Sequence, residues 1–401
     1  MKILSGLNKS IIATISLPAS KSISNRVLII HALCNKNFTI YNLSEADDTK
    51  IFQQCLNSNA ALLNTGDGGT TLRFLLAYFA LPGKPISLKA SERMMQRPLK
   101  PIIDVLNNLG ANIEFVKQKN NSFIKINSSQ LSGGVVEMDA TISSQFISAL
   151  LLVAPYLKNG LRLNLKGKEV SASYTEMTIA LMQHFGAQVE RDGNAIVISN
   201  HHYQAKDFFI ESDWSAASYW YSVAALSDTA NIFLPNLFHN SLQGDRVIAE
   251  IMKSFGVLTK CEKNGASIIK QSKPFPSSSY EFDFLNTPDL FQTVCVLCAA
   301  LNIPSRFTGL QTLMHKETDR LTAMKNELEK LNAVVKCDDY SFEIIKGINP
   351  DADATISTYN DHRMAMAFAP LALKMKKIVI ENPSVVNKSY PGFWDELNKI
   401  S

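Results

Sequence analysis

The stretch LPASKSISNR, residues 17–26, places Lys21, Ser22, Asn25 and Arg26 directly ahead of the apolar run VLIIHAL. Backbone N–H groups and the dipole at a helix start attract anions, and Ser, Lys and Arg side chains there complete an anion site. Ser22 and Arg26, four residues apart, share one helical face, with Lys21 and Asn25 on an adjoining one. The theme recurs along the chain. GDGGTTLR (66–73) offers three glycines, which let backbone approach a ligand, then Thr70, Thr71 and Arg73. It has neither the GK[ST] of a P-loop nor the GxGxxG of a dinucleotide fold. SERMMQRP (91–98) sets Arg93 and Arg97 ahead of Pro98, and ISSQF (142–146) opens another apolar run with Ser143, Ser144 and Gln145. In the second half carboxylates join the cations. Asp289 follows Pro288 in NTPDLFQ, HKETDR packs Lys316, Glu317, Asp319 and Arg320 together, YNDHRMAMAF puts His362 and Arg363 at a helix head, and VNKSYP adds Lys388. An acid beside a lysine in a partly desolvated site has the tuning that general acid–base catalysis requires. Each motif alone also reads as an ordinary helix cap or solvated rim. Together they point to one anion-lined cleft between two domains.

The elements that must position these residues form a repeat. Apolar helical runs start at 21, 70, 143, 215, 289 and 361, separated by 49, 73, 72, 74 and 72 residues. Amphipathic runs alternate with them, as in LKPIIDVLNNLGA, YTEMTIALMQHFGA, DRVIAEIMKSFGV and DRLTAMKNELEKLNA, each stopping near Gly110, Gly186, Gly256 or Asn332. Short alternating runs follow, such as NIEFV, SFIKI, AIVIS and FEIIK. The expected unit is helix, strand, helix, strand, strand, present six times. Helices apolar nearly all round must be buried, so the expected α/β architecture packs three units per domain around a helical core with the sheets outside. The N-terminal runs MKIL and SIIATISL are expected to complete the sixth unit, which makes the chain cross between domains twice. The expected domains are 19–211, and 1–18 together with 212–401.

Length and composition bound the function. A chain of 401 residues suits two domains of about 200. With 46% hydrophobic and 19% charged residues and a net charge of +4, it reads as globular and open to anionic substrates without implying nucleic acid. No run approaches the roughly 20 apolar residues of a membrane span, and no secretory leader is expected at the start. Six scattered cysteines read as free thiols of a reducing cytoplasm, and a metal site is not expected because only Cys295 and Cys298 are close-spaced. Arginines number ten against thirty lysines, yet six of them, Arg26, Arg73, Arg93, Arg97, Arg320 and Arg363, fall in the polar clusters, where guanidinium forks grip planar anions.

Quoted together, ASKSISNR, GDGGTTLR, RMMQRP, SSQF, PDLF, KETDRL and TYNDHRMAM closely resemble the 5-enolpyruvylshikimate-3-phosphate synthase family, in order and over nearly the whole chain. The resemblance implies a two-domain inside-out α/β barrel. It implies transfer of the enolpyruvyl group of phosphoenolpyruvate to the 5-hydroxyl of shikimate 3-phosphate with release of phosphate, a shikimate-pathway step toward chorismate and the aromatic amino acids. No cofactor or metal is implied, and no nucleic-acid or membrane partner; a cytoplasmic monomer is expected. By resemblance, shikimate 3-phosphate is held by Lys21, Ser22, Arg26, Ser143, Ser144, Gln145, Ser171, Asp289, Thr312 and Lys316. Phosphoenolpyruvate is held by Lys21, Gly69, Arg97, Gln145, Arg320, Arg363 and Lys388. Asp289 is the implied base for the 5-hydroxyl, and Glu317, helped by Lys21, the implied proton donor to the methylene carbon. Glyphosate is implied to compete for the phosphoenolpyruvate place, where Gly69 leaves room. The chain departs from the family pattern at Asp67 and Gly68, where Asn and Ala are usual, at Phe74, where Pro is common, and at Thr312, where many members have Asn. Two other readings stay open: the sister UDP-N-acetylglucosamine enolpyruvyl transferase, whose first motif has Lys-Asn and whose loop carries a reactive Cys that ASERMMQR lacks, and a non-catalytic anion- or RNA-binding protein of the same architecture.

Overall fold

The computed structural model describes residues 1–118, 122–127, 129–272 and 279–401. The apolar runs form the helices Lys21–Leu33, Gly69–Phe79, Ser144–Val153, Trp214–Leu226, Phe291–Ala300 and His362–Phe368. Being apolar on all sides, they have no face to offer water. Ser215 alone in Trp214–Leu226 is not fully buried, and His362–Phe368 is buried throughout. Three of them begin on side-chain caps: Ser143 accepts from Gln145 N–H, Asp213 from Ala216 N–H and Asp361 from Arg363 N–H. Amphipathic helices Lys100–Asn108, Ala172–His184 and Arg320–Lys330 alternate with them. Past the ends of these three, Gly110, Gly186 and Asn332 take positive φ values of 103°, 88° and 62°, the left-handed turn that stops a helix.

Four four-stranded sheets share one order. In the first, Leu62–Asn64 runs parallel to Ile86–Lys89, which pairs antiparallel with Phe123–Asn127, itself antiparallel to Asn112–Val116. The pattern returns in Gly134–Asp139, Leu161–Lys166, Ala195–Ile198 and Val189–Asp192, and again in Tyr280–Asp283, Ser305–Thr308, Phe342–Lys346 and Val334–Cys337. The fourth instance is Ser10–Thr14, Thr229–Pro235, Gly265–Lys270 and Val257–Glu262. The repeat is therefore longer than the expected unit by one strand. In three of the four a strand directly precedes the buried helix, which serves as the crossover between two parallel strands; in the fourth the N-terminus supplies that strand.

The N-terminus is shared differently from the expectation. Lys2–Leu4 pairs antiparallel with Ile378–Ile380 and so does complete the sixth sheet, alongside Thr355–Ile356. Ser10–Thr14 instead opens the fourth sheet, parallel to Thr229–Pro235. Among the described residues, the sheet that goes with the helix Lys21–Leu33 is reduced to Ile40–Tyr41 parallel to Phe208–Phe209. The chain divides into two compact units, Lys21–Ile210 and Met1–Ser20 with Glu211–Ser401. Ala19, Ser20 and Glu211 fall to the second of these because Ala19 bridges Ser212 and the Ser20 N–H donates to the Glu211 carbonyl at 2.8 Å. All six cysteines are free thiols. Among the described residues no helix is long and apolar enough to cross a membrane.

Candidate functional site

In the unit Lys21–Ile210 the polar residues gather at the N-termini of its buried helices. Lys21 Nζ lies 2.8 Å from Asp48 Oδ2, in the first turn of the helix Asp47–Leu56. Asp48 is buried, and its carbonyl accepts from Thr71 Oγ1 at 3.2 Å, so the lysine is anchored to two helix starts. Asn25 ties in a third: it accepts from Thr49 Oγ1 and donates to Thr70 Oγ1, both at 3.0 Å. Arg26 turns inward. It is 1% exposed and donates to Thr178 Oγ1, Ser148 Oγ and the carbonyls of Ser22 and Tyr174, with its guanidinium over the Phe74 ring at 5.3 Å. Burial lowers its pKa to about 10, and it stays charged at neutral pH.

A second cluster surrounds Gly69. A methyl group there would stand 2.8 Å from Gln145 Oε1 and 3.1 Å from a terminal nitrogen of both Arg73 and Arg97. One amide and two guanidiniums thus converge on backbone that carries no side chain. Arg97 is aimed by the residue after it: preceding Pro98, it takes the extended backbone that a proline imposes and ends the helix Glu92–Gln96. Arg73 donates to Gln145 Oε1 and to the Pro98 carbonyl, and lies over the Phe146 ring at 4.9 Å. Arg93 is exposed. Ser144 and Ser171 are both buried, and Ser171 is left-handed at φ 54°, a conformation that costs a non-glycine residue about 1 kcal/mol or more. Two of the unusual residues explain themselves locally. An alanine at Gly68 would collide with the Thr71 hydroxyl, and Phe74 supplies the ring beneath Arg26; Asp67 is exposed.

In the other unit the site is built around Arg320, which is 1% exposed. Its Nε donates to Asp361 Oδ2 at 2.7 Å, one terminal nitrogen to Asp289 Oδ1 at 2.9 Å and the other to Glu317 Oε2 at 2.9 Å. Burial works against the guanidinium, but Asp361, Glu317 and Asp289 outweigh it and raise its pKa. Asp289 also meets Arg363 at 3.0 Å and Lys316 at 3.7 Å, while Glu317 meets Lys388 at 3.4 Å. Burial alone would raise the Asp289 carboxyl; Arg363, then Lys316 and Arg320, overcome this and hold it well below the usual carboxylate range. Asp361 caps the helix that carries Arg363, so one carboxylate sets both the helix start and the arginine hub. The Thr312 hydroxyl is buried without a hydrogen-bond partner among the described residues.

The structure thus brings Asp289, Lys316, Glu317, Arg320, Arg363 and Lys388 into one network. It places Gly69, Arg97 and Gln145 around one point. Ser22 and Arg26 stay within one helix turn, joined by the Ser22 carbonyl. Asp48 and Asp361 complete these clusters without having been singled out in the sequence, and Arg73, singled out there only as one of the clustered arginines, joins the group around Gly69. The sequence signal for Asp361 is its place just ahead of His362 and Arg363 in NDHR; nothing in EADDTK connects Asp48 to a lysine 27 residues earlier. Among the described residues no cluster of three or more His, Cys, Asp or Glu side chains could hold a metal ion.

Residues 52–397 match the family model of EPSP synthase (3-phosphoshikimate 1-carboxyvinyltransferase). A 3-phosphoshikimate 1-carboxyvinyltransferase of Bacteroides fragilis is 43% identical over 100% of this chain and 98% of its own length. One from Methanospirillum hungatei is 35% identical over 96% of this chain and 95% of its own. Among solved structures, an EPSP synthase from Acinetobacter baumannii superposes with a TM-score of 0.79 at 20% identity, covering 100% of this chain and 97% of that one.

Proposed function

The chain belongs to the EPSP synthase family, and from that premise we propose how its residues share the reaction. It is a 3-phosphoshikimate 1-carboxyvinyltransferase, transferring the enolpyruvyl group of phosphoenolpyruvate to the 5-hydroxyl of shikimate 3-phosphate with release of phosphate. Phosphoenolpyruvate and product both carry a methylene carbon, so the carbon gains a proton as the hydroxyl adds and loses one as phosphate leaves. Asp289 takes the hydroxyl proton. Glu317, helped by Lys21, delivers and recovers the proton at carbon. Arg97, Arg320, Arg363, Lys388, Gln145 and the Gly69 backbone hold phosphoenolpyruvate. Ser22, Arg26, Ser143, Ser144, Gln145, Ser171, Thr312 and Lys316 hold shikimate 3-phosphate.

The observation that carries this reading is the shared arginine. Arg320 holds both carboxylates at 2.9 Å, and three further cations flank them. Two multiply charged anions repel each other, and fixed cations in a site shielded from water are what allow them to meet. The partnerless Thr312 hydroxyl, the strained Ser171 and the cradle at Gly69 support the binding roles. Buried helices and the repeated four-stranded sheets support reading each unit as an inside-out barrel, and six free thiols support a reducing, cytoplasmic setting. Phosphate release with phosphoenolpyruvate and each candidate acceptor tests the reaction. Turnover is expected with shikimate 3-phosphate and none with UDP-N-acetylglucosamine; the reverse result overturns the reading.

A further inference from the structure

Asp245 has no part in the roles assigned above. It lies in the turn Gly244–Val247, is 3% exposed, and accepts a short hydrogen bond from Ser215 Oγ, while its Oδ1 has no hydrogen-bond partner among the described residues. That turn packs against the helix Trp214–Leu226, and so does the turn Pro288–Leu290 that carries Asp289. The same helix brings Tyr219 to Arg363 at 3.4 Å. Asp289, Arg363 and, at the helix cap, Asp213 act on Asp245 through their charges. Its neighbour Arg246 points away, to the His239 carbonyl.

We propose that Asp245 is a positioning residue for the transfer, its buried negative charge beside Asp289 and Arg363 offsetting the cations around Asp289 so that this carboxylate stays basic enough to accept the hydroxyl proton. The inference rests on the reading of Asp289 as the base. Arg363, Lys316 and Arg320 more than cancel the effect of burial on Asp289 and make it a weak proton acceptor. A second carboxylate nearby acts in the opposite sense. Burial first, then Asp289, raise the carboxyl of Asp245 itself to about 7, against the pull of Arg363 and Ser215. Its charge is therefore present above neutral pH and lost below it, and the basicity of Asp289 follows.

The sign of its effect on folding is opposite to that on turnover. A carboxyl whose folded pKa lies above its unfolded value of 3.8 favours the folded state at low pH and loses that contribution as pH rises through about 7. At about pH 8 an ionised, buried Asp245 is a burden on stability that an amide does not carry.

The test is kcat against pH, from about 5.5 to 9, for the native enzyme, Asp245→Asn, Ser215→Ala and Asp289→Asn. Native kcat is expected to fall on the acid side with an apparent pKa near 7. Asp245→Asn should lose that limb, run about tenfold slower above pH 8 with KM little changed, and melt at a higher temperature there. Ser215→Ala, a milder change, removes a hydrogen bond to the ionised form and should move the limb to higher pH. If Asp289→Asn is inactive while Asp245→Asn and Ser215→Ala both keep the native profile, the inference fails and the base stands. If Asp245→Asn slows equally at every pH and melts lower, Asp245 is structural and the inference also fails. Should Asp245→Asn not fold, an unmoved limb in Ser215→Ala overturns it. Near-normal turnover in Asp289→Asn removes the base, and the inference with it.

Discussion

Asp289 and Glu317 share Arg320 but differ in their other neighbours, a difference that fits the separate roles proposed for them. Asp289 is held by Arg363 and Lys316, Glu317 by Lys388. Replacing either by its amide keeps shape and removes proton transfer, so turnover is expected to fall by about 10²- to 10⁴-fold while both substrates still bind. Glu317→Gln should also abolish exchange of the phosphoenolpyruvate methylene hydrogens with solvent deuterium, whereas Asp289→Asn should retain part of it. Equal exchange in the two variants would defeat the division of labour. Gly69→Ala tests the binding cradle. Its methyl would press on Gln145 and two guanidiniums at 2.8 to 3.1 Å, so KM for phosphoenolpyruvate should rise about tenfold with kcat nearly kept. Inhibition by glyphosate, measured as competition with phosphoenolpyruvate, should weaken in parallel. The residues that touch substrates in this reading were legible in the sequence because their motifs put several polar groups together at helix starts. Their supports were not: Asp48 and Asp361 act across 27 and 41 residues of chain, and Asp245 looked like the first residue of an amphipathic run.

Helix caps carry more than helix ends here. Asp319 caps Arg320–Lys330 by accepting from the Leu321 and Thr322 N–H groups, and Asp361 caps His362–Phe368 while also binding Arg320. Asp319→Ala should therefore cost about 1 kcal/mol, the ordinary value of a cap. Asp361→Ala takes away a buried ion-pair partner as well, and a loss of about 3 to 5 kcal/mol is expected. Urea unfolding of the two variants measures the difference, and equal losses would show that Asp289 and Glu317 alone satisfy Arg320. Sequence reading located the buried helices well, since a run apolar on every face is distinctive. It missed most of the strands ahead of them. LLN, YEFD and TI are two to four residues long, too short to show alternation, and are strands because a parallel neighbour supplies their hydrogen bonds.

The chain forms one continuous unit, Lys21–Ile210, and one discontinuous unit, Met1–Ser20 with Glu211–Ser401. The two crossings of the chain were legible from the count of units and the unfinished sixth; the split use of the N-terminus was not, because MKIL and SIIATISL look alike as strands and only pairing partners distinguish them. Continuity has a consequence for folding and binding. The unit Lys21–Ile210 holds two complete sheets and three buried helices, the makings of its own core. Residues 21–210 expressed alone should unfold cooperatively in urea. The complementary unit should tolerate a short linker from residue 20 to 211, because the Ser20 N–H and the Glu211 carbonyl are already hydrogen-bonded at 2.8 Å. Ser22, Arg26, Ser143, Ser144, Gln145 and Ser171 all lie in the continuous unit, while Asp289, Thr312, Lys316 and the rest of the arginine hub do not. Calorimetry on the isolated 21–210 fragment should therefore show shikimate 3-phosphate binding, weaker than in the whole chain by about tenfold or more, each tenfold being about 1.4 kcal/mol of lost contacts. No phosphate should be released, since Asp289 and Glu317, the carboxylates proposed to transfer protons, are missing. A folded fragment with no measurable affinity would remove those six residues from the acceptor site, because nothing they need from their own unit would be absent.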